Sequence, residues 1–479
     1  RLTDRTMRLD GAGAAAYLDS ARIVAAAREA GCDAVHPGYG FLSENAAFAR
    51  ACQAAGIAFV GPAPEALEFF GDRGRALELA RQCGVPVLPG TYGPTTLAQA
   101  EAFLRSLGAG GGVMVKALAG GGGRGMRPVL SPEELAPAFE RCRSEAQQAF
   151  GSGDVYFEAL YPRARHIEVQ IVGDGSGAVS HLWERDCSVQ RQRQKLIEIA
   201  PAPGLDGSLR GRLLEAAVAL GRAARYRGLA TIEFLVDASG GAASFAFIEA
   251  NPRLQVEHTV TEEVLGLDLV RVQLEIAAGR SLADLGLTQE RVPAPRGMAL
   301  QARVNMETMA ADGSARPAGG TLGAFEPAAG PGVRVDTFGY AGYRTSARFD
   351  SLLAKLVVHV GQASLAAVAA KAYRGLCEFR VQGVATNIPF LQALLRHPAL
   401  LDGSVHTRFV EERIGELVAA QAAAHPRLYF DAAAASARRA GVRVDSADPL
   451  AVLALGQGGG DAAIPAVRDG GEPAPVVPD

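Results

Sequence analysis

Lysine is nearly missing from this sequence: of 48 basic residues only Lys116, Lys195, Lys355 and Lys371 are lysines, and the other 44 are arginines. With 57 glycines and abundant alanine this points to a GC-rich coding bias, so each surviving lysine draws attention. No run of eighteen apolar residues occurs, which excludes a hydrophobic membrane-spanning helix and gives no reason to expect a membrane partner. The six cysteines, Cys32, Cys52, Cys83, Cys142, Cys187 and Cys377, lack the paired spacings of a zinc site or a dense disulfide framework. Reduced thiols and a cytoplasmic location are the expectation. A net charge of -3 offers no basic excess for nucleic acid. The chain opens on Arg1 without the apolar centre of a signal peptide, so a truncated N-terminus is expected. There remain 479 residues, 48% hydrophobic, enough for two or three packed subdomains.

Helix and strand signals alternate from the start, arguing for a parallel α/β layer. Residues 19–30, the stretch SENAAFARACQAAG, and residues 74–84 and 96–107 read as helices, interleaved with the strands before HPGYG and at IAFVG. A strand at 113–118 runs into four glycines, and a second is expected from Met126 to Leu130. Ser131, Pro132 and Glu134 supply an N-cap, a first-turn proline and a capping-box acid for a helix to Phe150, which Pro137 should bend or restart. Strands are expected over 166–185 and 230–258 with a helix at 208–227 between them, short strands over 297–360, and helices over 362–417. After residue 455 the text is Gly, Pro and Ala without hydrophobic period and reads as a linker. The whole is a mixed α/β and α+β chain.

Three constellations could carry chemistry. In the first, Gly120, Gly121, Gly122, Gly123, Arg124 and Gly125 join two strands, so backbone N–H groups could cradle phosphates. The loop opens no helix, which argues against a dinucleotide fingerprint, and no Lys-Ser/Thr follows as in a P-loop. A plain hairpin tip is the competing reading, and Lys116 tips the balance toward phosphate.

The second is the hairpin ATIEFLVD-ASGGAA-SFAFIEAN. With a loop at Ser239 to Ala243, Glu233 stands opposite Glu249, and Ile232, Phe234, Val236, Ala246, Ile248 and Ala250 share an apolar face. Two carboxylates about 5 Å apart need a cation between them, and hard oxygen donors suit Mg²⁺ or Mn²⁺. Continuing at period two, Asn251, Arg253, Gln255 and Glu257 would point one way. An ordinary half-exposed strand would show the same alternation, although Pro252 is disfavoured in a merely structural ladder.

The third, ERDCSVQRQRQK at 184–195, is dense in cations and by itself reads as a charged surface. HIEVQI at 166–171 is ambiguous, and His36 and His166 are more often structural.

In order, HPGYGFLSEN, VKALAGGGGRGM, RHIEVQI, ERDCSVQRQRQK, FIEANPRLQVEHTVTE and FDSLLAKL resemble the biotin carboxylases of the ATP-grasp superfamily, over about residues 1–415. The resemblance implies an N-terminal α/β domain over 1–60 (apparently truncated), linker helices over 61–87, a glycine-loop lid over 88–160, a large C-terminal domain over 161–415 and an extension over 416–479. It implies ATP held by Lys116, Gly120 to Gly125 with Arg124, Glu158, His166 and Arg73, and metal held by Glu233, Glu249 and Asn251. Arg253, Gln255, Val256 and Lys195 would bind bicarbonate, Glu257 would remove its proton, and Tyr39 and Arg334 would meet biotin, Arg334 as partner of the enolate.

Two positions depart from the family pattern: Arg73 stands where a nucleotide-binding lysine is usual, and Arg193 where a histidine is common. No Met-Lys pair is present, so biotin is expected on a carrier domain elsewhere. The resemblance further implies a carboxyltransferase partner and a homo-oligomer. An acyl-CoA carboxylase component is the favoured reading. A pyruvate or urea carboxylase is the alternative, and a degenerate ATP-binding scaffold would be signalled only by Arg73 and Arg193.

Overall fold

A computed structural model of the chain describes residues 3–11, 13–108, 111–118, 126–161, 163–237, 244–346, 348–423 and 425–429. Two compact units are separated, Arg1–Leu428 and Tyr429–Asp479, and all but Tyr429 of the second lies outside the described residues, including the expected linker after 455.

Local signals place the first helices. Asp19, Asn45 and Asp72 each accept a backbone N–H at the start of Ser20–Glu29, Ala46–Ala54 and Arg73–Gln82. Thr96 and Gln99 form a reciprocal capping box for Leu97–Ser106. Between them β1 (Ala34–Val35) and β2 (Ala58–Phe59) pair in parallel, as the alternation implies. At Ser131 the expected box is absent. Ser131 makes no capping bond, and Glu134 instead accepts the Leu130 N–H at 2.9 Å. Pro137 lies inside the helix Pro132–Phe150 without ending it.

That helix and Leu97–Ser106 cover a small antiparallel sheet of β3 (Gly112–Ala117), β4 (Met126–Val129) and β5 (Val155–Leu160), with β3 central. Larger by far is the eight-stranded sheet. Its first strands are β6 (Ala164–Asp174), β7 (Val179–Arg191), β8 (Gln194–Ala200), β9 (Arg227–Asp237) and β10 (Phe245–Asn251). Beyond β11 (Met298–Asn305) come the short strands β12 (Glu307–Met309), β13 (Ala315–Pro317) and β14 (Ala324–Glu326), then β15 (Val333–Thr337), β16 (Leu352–Val360) and β17 (Arg380–Gln382). The sheet order is β10-β9-β6-β7-β8-β11-β16-β15. One apolar core packs the helix Gly207–Ala223 under β6 and β7, and another packs Leu365–Glu378 and Ile388–Arg396 under β11 and β16.

In the β9–β10 hairpin Glu233 does face Glu249, but the expected apolar face needs correction. A bulge at Ile248 shifts the register, so Phe247 pairs with Phe234 and Phe245 with Val236. Phe245 and Phe247 therefore enter the core in place of Ala246 and Ile248, and Ile248 turns to the cleft beside Glu249. Residues 238–243, which include the expected loop, lie outside the described residues.

The strand β10 ends at Asn251, so the expected polar row to Glu257 is not a strand. Residues 252–257 form a turn, with Arg253 N–H donating to the Asn251 carbonyl at 2.8 Å.

Gly297 opens β11 at φ +68°, and a Cβ there would lie 1.9 Å from the Val360 carbonyl oxygen. Gly279 shares the left-handed backbone (φ +91°) with nothing within 4 Å. Gly297→Ala should lower the unfolding free energy from denaturant titration by more than ~2 kcal/mol, and Gly279→Ala by only ~1 kcal/mol. Equal shifts would show that β11 does not need that close approach.

Candidate functional site

Along β6 the pleat sends Ile167, Val169 and Ile171 into the core, and His166, Glu168 and Gln170 to the opposite face. Strand pairing then sets Glu249, Glu233, Glu168 and Arg185 side by side across β10, β9, β6 and β7. Three carboxylates thus stand in one row, with Glu168 fully buried and Glu233 nearly so. Asn251, Thr231 and Gln170 make the next row. Arg185 is wholly buried and donates to Glu168 at 2.6 Å, Gln170 at 2.9 Å, Thr261 at 3.0 Å and Thr231 at 3.1 Å.

From β8, Lys195 Nζ reaches Glu168 at 2.5 Å, Glu233 at 3.2 Å and Glu257 at 2.5 Å. Burial works to lower the Lys195 pKa, but the three carboxylates outweigh it and hold the ammonium well above its usual range. Glu257 also receives Arg303 Nη2 at 2.9 Å, and Arg303 Nε donates to Glu198 at 2.5 Å. Burial works to raise the Glu257 pKa, yet Lys195, Arg303 and Arg185 keep it well below the usual carboxylate range. It therefore remains an ionised acceptor throughout the neutral range. Glu233 is held down in the same way by Lys195 and by His166, whose Nε2 lies 3.0 Å from it, while Gln255 and Asn251 each donate to it at 3.1 and 3.0 Å.

The small sheet closes the cleft from the other side. Lys116 on β3 is buried in an ion pair with Glu158 on β5. Burial pushes the Lys116 pKa down, and Glu158 opposes it. Arg73 bonds Tyr156 at 3.0 Å and Glu249 at 2.5 Å, so it joins the small sheet to the row of acids. At the tip of the β7–β8 hairpin Arg193 donates to the Met126 carbonyl at 3.2 Å, where β4 begins. Gly120 to Gly125 with Arg124 lie outside the described residues.

The cleft between the two sheets, about 1410 Å³, is lined by Lys116, Glu158, His166, Lys195, Glu233, Glu249 and Asn251. Arg73, Arg253, Gln255, Val256, Glu257 and Tyr39 also reach it. Arg253 bonds Glu44 at 2.5 Å, near the cleft mouth.

Arg334 is the expected site residue that the structure does not bring to the cleft. It donates to Asp336 at 2.8 Å and Glu262 at 2.7 Å instead. The arginine beside Glu257 is Arg303, which the sequence reading missed along with Glu168 and Glu198, while Arg185, in the cationic run that by itself reads as a charged surface, is wholly buried. The alternation in HIEVQI was a signal for Glu168, whereas nothing local in MALQARVN marks Arg303.

Oxygen donors from Glu233, Glu249 and Asn251 on adjacent strands form a hard set that fits Mg²⁺ or Mn²⁺. His166, Glu168 and Glu233 also bring ligand atoms within 4.8 Å of one another.

Family models match nearly the whole unit: "Biotin carboxylase, N-terminal domain" at residues 1–67, "Carbamoyl-phosphate synthase L chain, ATP binding domain" at 72–285 and "Biotin carboxylase C-terminal domain" at 301–412. Pyruvate carboxylase of Aspergillus niger is 47% identical over 83% of this chain and 33% of its own length. The chain thus spans about a third of the curated relatives it matches. The biotin carboxylase domain of a single-chain bacterial carboxylase is 49% identical, with a TM-score of 0.77 over 88% of this chain and 89% of that one. A single-chain long-chain acyl-CoA carboxylase is 46% identical, TM-score 0.75, over 88% of this chain and 39% of that one. The biotin carboxylase domain dimer of Hydrogenobacter thermophilus 2-oxoglutarate carboxylase, solved with MgADP, ADP and bicarbonate, is 37% identical, TM-score 0.79, over 86% and 87%. Matched in all three parts and across almost the full length of a solved biotin carboxylase domain, the chain belongs to the biotin carboxylase family, ATP-dependent ligases of ATP-grasp fold.

Proposed function

We propose that this chain carboxylates biotin with bicarbonate and ATP through carboxyphosphate, as the first half-reaction of a pyruvate-type carboxylase. The observation that carries the chemistry is Glu257, a carboxylate bracketed by Lys195 and Arg303 at 2.5 and 2.9 Å. ATP would lie in the cleft with Lys116, Arg73 and the loop Gly120 to Gly125 with Arg124 on its phosphates, and with Glu158 and His166 near the nucleoside. Glu233, Glu249 and Asn251 would hold Mg²⁺ or Mn²⁺, which when bound neutralises phosphoryl charge.

Arg253, Gln255, Val256 and Lys195 would bind bicarbonate, and Glu257 would take its proton as it attacks the γ-phosphate, releasing ADP. Incoming anions draw Lys195 and Arg303 away from Glu257, and its basicity rises when it is needed. Carboxyphosphate yields CO₂ and phosphate, and the phosphate takes the N1′ proton of biotin. Arg303, in place of Arg334, would stabilise the charge on the ureido oxygen, with Tyr39 at the cleft rim beside biotin.

Biotin would arrive on a carrier domain, and a carboxyltransferase would pass the carboxyl group on. Pyruvate as final acceptor is supported by the curated relative at 47% identity, ahead of the acyl-CoA acceptor expected from the sequence, for which the 46% identical acyl-CoA carboxylase speaks. A homo-oligomer is proposed from the dimer of the 2-oxoglutarate carboxylase domain. Arg73 keeps a cation against Glu249, which favours a working site over a degenerate scaffold.

Glu257→Gln should lower bicarbonate-dependent ADP release by on the order of 10²- to 10⁴-fold while still binding ATP; an unaltered rate would remove Glu257 from the chemistry. Arg303→Ala should cost on the order of 10²- to 10³-fold in biotin carboxylation, and Arg334→Ala far less. The reverse ranking would restore Arg334 to the biotin site. Mg-ATP should raise the melting temperature of the parent by mass action and lose that effect in a Glu233→Gln, Glu249→Gln double variant. A shift that survives the double change would rule out metal binding there.

A further inference from the structure

Three of the four scarce lysines line or adjoin the cleft, and the chemistry proposed above uses only Lys116 and Lys195. Lys371 donates to the carbonyls of Pro331 and His359 at 2.7 and 2.8 Å, a clamp between the end of β16 and the segment before β15. Lys355 is unaccounted for. It sits mid-way along β16, 5% exposed, in register with Arg303 on β11 and Asp336 on β15. Two cations opposite one another across a strand pair destabilise it unless each finds its own acceptor.

They do so in different directions. Arg303 turns to Glu198 and Glu257, and Lys355 donates to Asp336 Oδ2 and to the backbone carbonyl of Val256, both at 3.1 Å. Val256 stands between Gln255 and Glu257 in the turn that follows β10. The side chains of Arg253, Gln255 and Glu257 are held by Glu44, Glu233, Lys195 and Arg303. The backbone of the turn is bonded at its two ends: Arg253 N–H to Asn251, Arg253 Nη1 to the Leu254 carbonyl at 3.2 Å, His258 N–H and Nδ1 at 3.3 and 2.7 Å from the Gln255 carbonyl, and Val260 N–H to the Glu257 carbonyl at 3.3 Å. Lys355 is thus the side chain that reaches from the sheet to the residue between the two site groups. Asp336 is in turn held by Arg334, through Nε at 2.8 Å and Nη2 at 3.0 Å. This network explains why Arg334 lies outside the cleft.

We infer that Lys355 is a positioning residue for the bicarbonate turn, fixing Val256 so that Gln255 and Glu257 meet the substrate. A point ammonium suits the two acceptors that converge on it, Asp336 and the Val256 carbonyl, where a guanidinium would impose its plane. The inference rests on the proposed bicarbonate chemistry.

The test uses the intact enzyme containing this chain, with ADP release measured against bicarbonate and against ATP separately in the presence of biotin, alongside melting temperature. Lys355→Met and Lys355→Arg should both lower kcat/KM for bicarbonate by on the order of 10- to 100-fold, as a displacement of about 1 Å would, with the KM for ATP unchanged. Lys355→Arg keeps the charge beside Asp336 and stays informative if Lys355→Met does not fold. Parental bicarbonate constants in Lys355→Arg, or ATP and bicarbonate constants that worsen together with the melting temperature, would overturn the inference while leaving the proposed function in place. A parent enzyme without bicarbonate-dependent ADP release would sink that function and this inference with it.

Discussion

Everything in the cleft answers to one electrostatic constraint: Glu249, Glu233 and Glu168 lie in register on three neighbouring strands. Like charges directly opposite in a sheet repel, and burial removes the water that would screen them. Arg185 closes the row on β7, Lys195 spans Glu168 and Glu233 from β8, and Arg73 caps Glu249 from a helix start. His166 adds a further partner to Glu233. Such a row is costly as mere structure, and it makes sense as a place where cations are exchanged in the proposed reaction, which would bring in phosphate, metal and bicarbonate.

The same constraint explains why the two sheets need each other. Arg73 bonds both Tyr156 on β5 and Glu249 on β10. Beside it, a strap from Pro86 to Thr91 pairs with both sheets: Pro86 accepts the Phe247 N–H at 2.8 Å, and Thr91 N–H donates to Phe157 at 2.9 Å. A short, backbone-bonded connection of this kind lets the small sheet keep its position over the cleft while remaining a separate packing unit with its own core.

Scarcity of lysine proved informative because the arginine background is so uniform. Lys116 and Lys355 are buried, and Lys195 nearly so, each facing a carboxylate. An ammonium can serve as a point donor to partners converging from several strands, as Lys195 does with three acids, where a guanidinium would impose its plane.

What the sequence determined by itself was local. Helix starts at Asp19, Asp72 and Thr96 follow from caps adjacent in the chain, and the facing of Glu233 and Glu249 follows from a hairpin whose two halves lie close in sequence. The ordered motifs also sufficed to identify the family. Even there the bulge at Ile248 was invisible, because which of two apolar residues is extruded depends on the core below. Tertiary structure alone decided that residues 252–257 turn back, that Glu168 completes the acid row, and that Arg303 rather than Arg334 reaches Glu257. Arg303 and Glu257 are 46 residues apart and meet through side chains brought together by the pairing of β8, β11 and β16. Both arginines lie in strands of one sheet, and their partners turn them to different ends: Glu198 on β8 and Glu257 hold Arg303, while Asp336 on its own strand and Glu262 in the helix His258–Leu265 hold Arg334.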